Sequence, residues 1–367
     1  MKVVIWVGRA WEPWNPDNLQ TGIGGSEVAC INMAKELAKL GCEVVVYGDC
    51  YEREGVWEGV RYIDYAKAPT HFDVDVLLVL RQPWALDDRT CRGLKFLWME
   101  DTTIGPSDWL AHERLLRFDR VLCVSSWARE FFLKQYPFMR PDTVIATRNG
   151  IDLSRFTQKR PKKKQLIYAS CPSRGLDVLL EKIWPRIYAE EPGTELHVYY
   201  GFATWNKLLE ASIGTTTKEL KARVLKLLKQ PGVVYHDRCG QQELADAFLE
   251  SMVWAYPTAW EETSCITAME AQAGGCVPVT TNLAALTETV QVGYKLPAPN
   301  TTQGYHDQFV ELILGLLRSH SVKIAMENEC YKAAKQLGWD RLALEWMAMF
   351  EQVRTEVDLN VVPPFYP

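Results

Sequence analysis

YPTAWEETSCITAMEAQAGGCVPVTT, residues 256–281, is the stretch that decides the fold of this chain. An apolar run ends at Pro257, a loop with two glutamates follows, and a helical repeat begins near Cys265. A pair of glycines ends that repeat before a second apolar run, VPVTT. Parallel strands joined by a helix form a right-handed βαβ unit. Because ligands bind outside the carboxyl ends of the strands in open α/β sheets, the loop before the helix is a candidate site.

The same alternation of strand and helix extends over the whole chain. Near-continuous apolar runs are typical of parallel strands that are covered on both faces. The predicted strands lie at 3–7, 42–48, 74–80, 94–99, 120–125, 143–147, 166–170, 195–201, 232–236, 253–258 and 277–281. Helical periods separate them, and three helices near 305–318, 321–336 and 340–356 end the chain. The pattern predicts an α/β protein with doubly wound parallel sheets.

Two domains are expected, because 367 residues exceed the usual domain size of roughly 100–200 residues. We predict an N-terminal domain over 1–156 and a C-terminal domain over 165–338. The polar, basic stretch TQKRPKKK at 157–164 is interpreted as the linker. Its charges could contact anionic lipid or phosphate, but a solvated linker is the favoured interpretation.

The composition excludes several classes of protein. The net charge is -5, whereas nucleic-acid-binding domains are usually basic. The ten cysteines show neither CxxC pairs nor zinc-ligand spacing, which indicates reduced thiols in a cytoplasmic protein. The N-terminal apolar run is too short for a secretory signal, and no run approaches the length of a membrane-spanning helix. Peripheral contact with the inner face of a membrane stays open, as does the oligomeric state.

The helix that begins near Cys265 predicts an anion site. The free amides of Ser264, Cys265 and Ile266 would face the crevice, and a helix N-terminus suits a diphosphate. Glu262 and Glu270 flank this N-terminus in the sequence. Carboxylates suit sugar hydroxyls, because charge-assisted hydrogen bonds are strong and directional.

These residues carry a family resemblance. Glu262, seven residues, Glu270, Ala271 and a following Gly-Gly-x-x-Pro-Val resemble the signature of the retaining GT-B glycosyltransferases, in particular family 4, the group 1 glycosyltransferases. The resemblance implies two Rossmann-like domains that face a central cleft, with the donor held mainly by the C-terminal domain. It implies that Glu262 contacts the transferred sugar and that Glu270 holds the nucleotide ribose. Glu261 would replace Glu262 if the register slips by one, and a helix-surface role for Glu270 is the alternative.

A second segment, ASCPSRGLDVLL at 169–180, resembles the family's stretch that ends in Lys-Gly, with Arg174 at the Lys position. Arginine stays charged and binds phosphate oxygens bidentately, so Arg174 would neutralise the leaving diphosphate. The family's other cation is absent, because position 170 is Ser170. Arg238, where the family has its nucleobase loop, is the candidate substitute. The alternative for Arg174 is a surface salt bridge.

A third segment, GIGGSE, matches the family's N-terminal Gly-Gly loop, which lies over the diphosphate and the acceptor. Gly24 and Gly25 are the glycines expected there, because glycine lets the backbone approach a ligand closely. Ser26 is a plausible N-cap, with Glu27 in the first turn.

The segment FLWMEDTT is the main departure from the family, which has a His-Asp pair facing the donor sugar. This chain has Glu100 and Asp101 instead. Glu100 either replaces the His as a hydrogen-bond partner or has a surface or capping role, and both interpretations stay open. Cys265 is a second departure, because it stands where the family has glycine.

Further stretches match the family over nearly the whole chain. TRNGIDLSRF is expected to have a structural role at the end of the N-terminal domain, and 339–367 resembles the closing helix and tail that cross back to that domain. Asp73 and Asp75 have DxD spacing but precede a buried strand, so no metal site is predicted there.

The expected function is transfer of a sugar from a nucleoside-diphosphate sugar, most simply a UDP- or GDP-sugar, to an unidentified acceptor hydroxyl with retention of anomeric configuration and with no cofactor. Alternatives are an inverting transferase or a nucleotide-sugar epimerase of the same fold, and a non-catalytic module that holds sugar or nucleotide. A nicotinamide enzyme is disfavoured, because no GxGxxG opens the first helix. The acceptor is expected at the Trp-rich loop 9–21, at 102–112 and at 203–216.

Overall fold

The computed structural model describes residues 1–105, 109–211 and 217–358. The chain forms two compact units. The first contains Met1–Asn18, Ile23–Gly150 and the chain from Trp339 onward. The second contains Leu19–Gly22 and Ile151–Gly338.

The first unit is built on an eight-stranded sheet with the order β3-β4-β2-β1-β5-β6-β7-β8. Its strands are β1 (Lys2–Gly8), β2 (Glu43–Gly48), β3 (Gly55–Trp57), β4 (Val60–Asp64), β5 (His71–Leu80), β6 (Thr90–Met99), β7 (Arg120–Cys123) and β8 (Val144–Ala146). Neighbouring strands are parallel except β3 and β4, which form an antiparallel hairpin. The strand order reverses between β1 and β5, and this places a crevice at their carboxyl ends.

The helices of the first unit are α1 (Gly25–Lys39), α2 (Ala111–Leu115), α3 (Ser126–Gln135) and, at the end of the chain, α13 (Trp339–Asp358). Aromatic contacts hold α13 on the sheet. The Trp346 ring meets Trp98 edge-on at 4.8 Å, and Phe350 lies 5.0 Å from Phe96. The Trp346 Nε1 also donates to Thr147 Oγ1 at 2.8 Å. This last helix therefore completes the core of a unit that begins more than three hundred residues earlier.

The second unit contains a six-stranded, fully parallel sheet with the order β11-β10-β9-β12-β13-β14. Its strands are β9 (Gln165–Ala169), β10 (Glu195–Tyr199), β11 (Val233–Asp237), β12 (Val253–Tyr256), β13 (Val277–Asn282) and β14 (Tyr294–Pro297). Numbered within the unit, this order is that of the dinucleotide-binding folds, in which the order reverses between the first and fourth strands. The reversal here lies between β9 and β12.

The α-helices of the second unit are α4 (Leu176–Val178), α5 (Trp184–Glu190), α6 (Ala203–Glu210), α7 (Lys218–Leu227), α8 (Gln241–Glu250), α9 (Ile266–Ala273), α10 (Leu286–Thr289), α11 (Gln303–Arg318) and α12 (His320–Ala334). A π-helical segment, Leu179–Ile183, joins α4 to α5. Pro185, in the first turn of α5, has no backbone N–H to donate to the preceding turn. The backbone hydrogen bonds of that turn therefore take the longer π-helical spacing. Within the described ranges, no helix is both long and apolar enough to cross a bilayer.

The predicted fold class is confirmed: both units are parallel-sheet α/β domains. The units divide at Gly150, earlier than the end at 156 expected from the sequence. The basic stretch 157–164 lies in the second unit, where the Lys162 ammonium donates to the carbonyls of Phe248 (3.0 Å) and Gly274 (2.5 Å). Those carbonyls end α8 and α9, so the lysine satisfies acceptors that a helix C-terminus leaves open.

The packing of α13 gives a stability prediction. Trp346→Ala removes a fully buried indole and is expected to lower the free energy of unfolding by about 3–5 kcal/mol in chemical denaturation. Leu344→Ala, on the same helix but 57% exposed, is the matched control and should change it by under about 1 kcal/mol. Equal losses from both variants would contradict the packing described.

Candidate functional site

The loops that follow β9 and β12 meet at the strand-order reversal of the second unit, and an ion pair joins them. Arg174 Nη1 lies 3.0 Å from Glu262 Oε1 and 3.1 Å from Oε2. The Glu262 side chain is 9% exposed and that of Arg174 is 31% exposed. Because both contacts use Nη1, the remaining guanidinium nitrogens are not taken up by Glu262. The sequence predicted these two residues in separate roles, and the structure brings them into direct contact.

A buried hydrogen-bond chain extends from Glu262 towards Ser170. The Tyr256 hydroxyl donates to Glu262 Oε1 at 2.5 Å, and Ser170 Oγ lies 3.3 Å from the same hydroxyl. On the other side, the Trp260 ring covers the Arg174 guanidinium at 4.7 Å. Ser170 is thus connected to Glu262 through the Tyr256 hydroxyl. Two donors, Tyr256 and Arg174, hold the Glu262 carboxylate in one orientation.

Gly175 permits the close approach of these two loops. Its φ is +93°, and a Cβ at this position would lie 2.2 Å from the Pro257 carbonyl oxygen. Glycine adopts positive φ without steric cost, so the Arg174-Gly175 sequence combines the cation with the turn that positions it.

The N-terminus of α9 lies beside this pair in the same loop. Cys265 caps the helix with a φ of +71°, in the left-handed region that favours glycine. The site where the family has glycine therefore keeps the glycine conformation, at a strain cost of about 1–2 kcal/mol for a side chain with a Cβ. In the part of the chain that the structure describes, the hydroxyl of Ser264 is buried without a hydrogen-bond partner. Ile266 is the first residue of α9.

Glu270 projects from α9 into a buried setting. The residue is 6% exposed, and burial raises the pKa of its carboxyl to about 7, an effect that the charge of Arg155 opposes. Arg155 Nη1 in turn lies 3.2 Å from Gln241 Oε1. A carboxylate that is costly to ionise in the empty protein is suited to a ligand that donates hydrogen bonds to it.

Arg238 lies in the loop that follows β11 in the second unit. A Cβ on Gly22 would lie 2.6 Å from Arg238 Cγ, so the segment Leu19–Gly22 packs directly on this side chain. The charge of Arg238 also acts on the Tyr200 hydroxyl, as does that of Arg174. Burial raises the pKa of this half-buried hydroxyl, and the two arginines oppose that shift.

In the first unit, Gly24 is the N-cap of α1 and Gly25 its first residue. A Cβ on Gly24 would lie 2.3 Å from Glu27 Oε2, so this glycine leaves room for the carboxylate over the helix start. Burial raises the pKa of Glu27.

Glu100 and Asp101 turn to different partners. Asn149 Nδ2 donates to Glu100 Oε2 at 3.0 Å, and burial raises the pKa of Glu100 to about 7. Asp101 instead accepts from Arg81 Nε at 2.6 Å and lines an open cavity together with Glu27.

The DxD pair lies at the opposite end of the sheet, where Asp75 accepts a hydrogen bond from the backbone N–H of Lys2 at 2.6 Å. Over residues 1–105, 109–211 and 217–358, no group of three or more His, Cys, Asp or Glu side chains is arranged to hold a metal ion. The segments 102–112 and 203–216, predicted to contact the acceptor, are partly outside the described residues, at 106–108 and 212–216.

Comparisons with known proteins bear on this geometry. Residues 163–318 match the family described as glycosyl transferases group 1. The structure of sucrose-phosphate synthase (tll1590) from Thermosynechococcus elongatus is similar with a TM-score of 0.72 and 13% identity, over 97% of this chain and 100% of that one. The structure of Anabaena Alr3699/HepE in complex with UDP-glucose is similar with a TM-score of 0.66 and 14% identity, over 95% of this chain and 99% of that one.

A third similar structure is that of WaaG, a glycosyltransferase involved in lipopolysaccharide biosynthesis. Its TM-score is 0.65 at 14% identity, over 95% of this chain and 99% of that one. No curated protein sequence matches the chain. The chain has the GT-B glycosyltransferase fold. Together with the family match in the second unit, this GT-B fold supports a glycosyltransferase.

Two side chains that contact the ion pair, Tyr256 and Trp260, were not predicted from the sequence. Glu27, which the sequence predicted in the first turn of the helix, lies there in α1 and lines the cavity of the first unit. Tyr256 is the last residue of a buried strand and Trp260 stands next to the two glutamates, so their positions in the sequence place both near the site. Aromatic residues are so common in cores that this signal was not specific.

The buried carboxyl of Glu270 gives a pH-dependent stability prediction. Its pKa is higher in the folded protein than the ordinary 4.5, so the folded state binds more protons and this group costs stability as the pH rises from 4.5 towards 7. Glu270→Gln should therefore gain about 2 kcal/mol relative to the unaltered protein between about pH 5.5 and pH 8. Denaturant titrations at both pH values measure this difference, and Glu261→Gln, an exposed neighbour in the site loop, is the control. A difference that does not change with pH would contradict burial of an ionisable Glu270.

Proposed function

We propose that this protein is a retaining glycosyltransferase of family 4, which transfers a sugar from a nucleoside-diphosphate sugar to an acceptor hydroxyl without a metal ion. The observation that carries the proposal is the Arg174–Glu262 pair beside the N-terminus of α9, at the strand-order reversal of the second unit. Anabaena HepE, which has the same fold, was solved with UDP-glucose, so UDP-sugars are the first donors to test.

The diphosphate is assigned to the N-terminus of α9 and to Arg174. The backbone amides of Ser264, Cys265 and Ile266 supply donors at the positive end of the helix dipole. Arg174 offers the guanidinium nitrogens that Glu262 does not engage, and Ser170 and Arg238 add polar contacts from the neighbouring loops. These groups stabilise the negative charge that grows on the leaving diphosphate.

The two glutamates have separate tasks. Glu262, already oriented by Arg174 and Tyr256, accepts hydrogen bonds from hydroxyls of the transferred sugar. Glu270 accepts hydrogen bonds from the ribose hydroxyls, which favour its ionised form and offset the cost of burying the charge. Ribose binding is therefore expected to lower the pKa of Glu270 from its raised value of about 7.

The reaction proposed is a front-side displacement. The bond between the anomeric carbon and the leaving phosphate oxygen breaks, and the acceptor oxygen bonds to the same face of that carbon. The proton of the acceptor hydroxyl passes to the leaving phosphate, so the products are a retained glycoside and the nucleoside diphosphate. In the first unit, Gly24 and Gly25 serve the diphosphate and acceptor side, and Glu100 and Asp101 take the place of the family's His-Asp pair.

Variants of the three loop and helix glutamates test these roles. Glu270→Ala should weaken UDP binding roughly tenfold or more in calorimetry, because the ribose loses a charged acceptor. Glu262→Ala should leave UDP binding within about threefold and lower the turnover of the donor by about 10²–10³, since its contact is with the sugar. Glu261→Ala is the matched control, because it is exposed and adjacent, and both quantities should stay unaltered. The same loss from Glu261→Ala as from Glu262→Ala would shift the assignment by one residue.

The hydrolysis of UDP-glucose, followed by proton NMR, reports the stereochemistry in the same preparations. Retention predicts that α-glucose forms first and that the β-anomer appears only by later mutarotation. First formation of β-glucose would identify an inverting enzyme, and an epimerised nucleotide sugar would identify an epimerase. Binding of UDP and UDP-sugars with no turnover of any donor would indicate a non-catalytic binding module.

A further inference from the structure

The indole ring of Trp260 lies outside the core of the second unit. Of the four tryptophans in this unit, Trp184, Trp205 and Trp254 are fully buried, whereas Trp260 is 50% exposed. A single exposed apolar side chain is ordinary in a protein surface, so the contacts of the ring decide what it does.

The contact that distinguishes Trp260 is with the guanidinium of Arg174. The Cζ atom of Arg174 lies 4.7 Å from the centroid of the indole ring, within the range of a cation–π interaction. A guanidinium is planar and stacks on aromatic faces, which an ammonium cannot do. Arg174 is therefore held by Trp260 on its face and by Glu262 on its edge.

The edge contact alone does not fix the orientation of the guanidinium. Both distances to the Glu262 carboxylate, 3.0 and 3.1 Å, start from the same nitrogen, Nη1. An ion pair through one nitrogen leaves the plane of the group free to turn about that nitrogen. A ring against the face of the guanidinium removes this rotation, so Trp260 sets the plane and Glu262 sets the edge.

This orientation leaves one fork of Arg174 open. Among the residues that the structure describes, no hydrogen-bond acceptor contacts Nε or Nη2. These two nitrogens form the side-on fork of an arginine, whose parallel N–H groups match two oxygens of a phosphate. A fork that is oriented before the ligand arrives binds with a smaller loss of side-chain entropy.

The backbone that carries Trp260 is itself fixed. The N–H of Trp260 donates to Thr258 Oγ1 at 2.9 Å, and the carbonyl of the fully buried Thr258 accepts from Thr281 Oγ1 at 2.6 Å. At the other end of the loop, the Glu262 carbonyl accepts from the N–H of Ala285 at 3.1 Å. The loop between β12 and α9 is thus tied to β13 and to the segment that follows it, which makes the indole a firm support.

We propose that Trp260 is a positioning residue, whose indole face holds the Arg174 guanidinium so that Nε and Nη2 are presented to the diphosphate of the donor. This inference rests on the proposed function, because it needs a diphosphate at Arg174. Trp260 acts through Arg174, so its contribution to nucleotide affinity disappears when the guanidinium is removed. The contribution also depends on an aromatic face and not merely on an apolar side chain.

Calorimetry of the full chain with UDP and with GDP tests the proposal. Trp260→Leu, which keeps a large apolar side chain without a π face, should weaken binding of the nucleotide by roughly tenfold. Trp260→Phe, which restores a ring, should bind within about threefold of the unaltered protein. Ile324→Ala, which shortens a 40% exposed apolar side chain on α12 of the same unit, is the matched control and should bind as the unaltered protein does.

A double-mutant cycle separates positioning from direct contact with the nucleotide. Arg174→Met keeps the unbranched stem and removes the guanidinium. In that background, adding Trp260→Leu should cause no further loss of affinity. Thermal midpoints close to that of the unaltered protein show that the variants are folded.

Three results would overturn the inference: full affinity in Trp260→Leu, equal losses in Trp260→Leu and Trp260→Phe, or a loss that persists in the Arg174→Met background. The last of these would show that the indole contacts the nucleotide itself. Failure of both UDP and GDP to bind the unaltered protein would contradict the proposed donor site, and the inference with it. The failure of the proposed function is therefore distinguishable from the failure of the role of Trp260 alone.

Discussion

The ion pair between Arg174 and Glu262 is the constraint on which the second unit's site depends. A half-buried guanidinium and a buried carboxylate are costly to remove from water unless each has a well-placed partner. Each supplies the other's partner, and Tyr256 and Trp260 complete the surroundings. Two loops from separate βα units are thereby fixed against each other, with Gly175 making the approach sterically feasible. The charges are held in readiness for a ligand that brings a diphosphate to the cation and hydroxyls to the carboxylate.

Burial of acidic groups is a common theme of both units. Glu270 in one and Glu100 in the other each have a pKa raised to about 7 by burial. Burying a carboxyl group costs free energy, because its charged form is unfavourable in a low-dielectric setting. Carboxyl groups with shifted pKa values are therefore concentrated at functional sites. Glu100 directly follows β6, and Glu270 lies on α9, the helix that follows β12. Both carboxyl groups therefore belong to segments that the topology associates with ligand crevices.

The sequence predicted the fold best where the pattern of apolar residues was strong. All of the long apolar runs became strands of the two parallel sheets, and the helix after Cys265 begins at Ile266. The hairpin β3–β4 and the edge strand β14 were missed, because they are short and polar residues interrupt their apolar pattern. The charges of the stretch 157–164 predict a solvated linker, but the half-buried Lys162 donates to two helix-end carbonyls that lie 86 and 112 residues away in the chain.

The site was only partly predictable for a related reason. Residue types and spacing indicated Arg174, Glu262 and Glu270, but the spacing could not reveal that the first two would pair. Neighbouring residues such as Glu100 and Asp101 are indistinguishable as candidates in the sequence, whereas tertiary contacts turn one to Asn149 and the other to Arg81. Such choices depend on which side chains the fold brings alongside, and a linear pattern does not encode them locally.

The most direct measurement of the central claim is amide hydrogen exchange of the full chain with and without UDP or GDP, in the presence of EDTA. One of these nucleotides is expected to slow exchange at the backbone amides of 264–266 and in the loop 170–175, where the diphosphate would accept their hydrogen bonds. Protection at both segments would place the diphosphate between Arg174 and the start of α9. Protection confined to the first unit, or no change with either nucleotide at saturating concentration, would contradict the account.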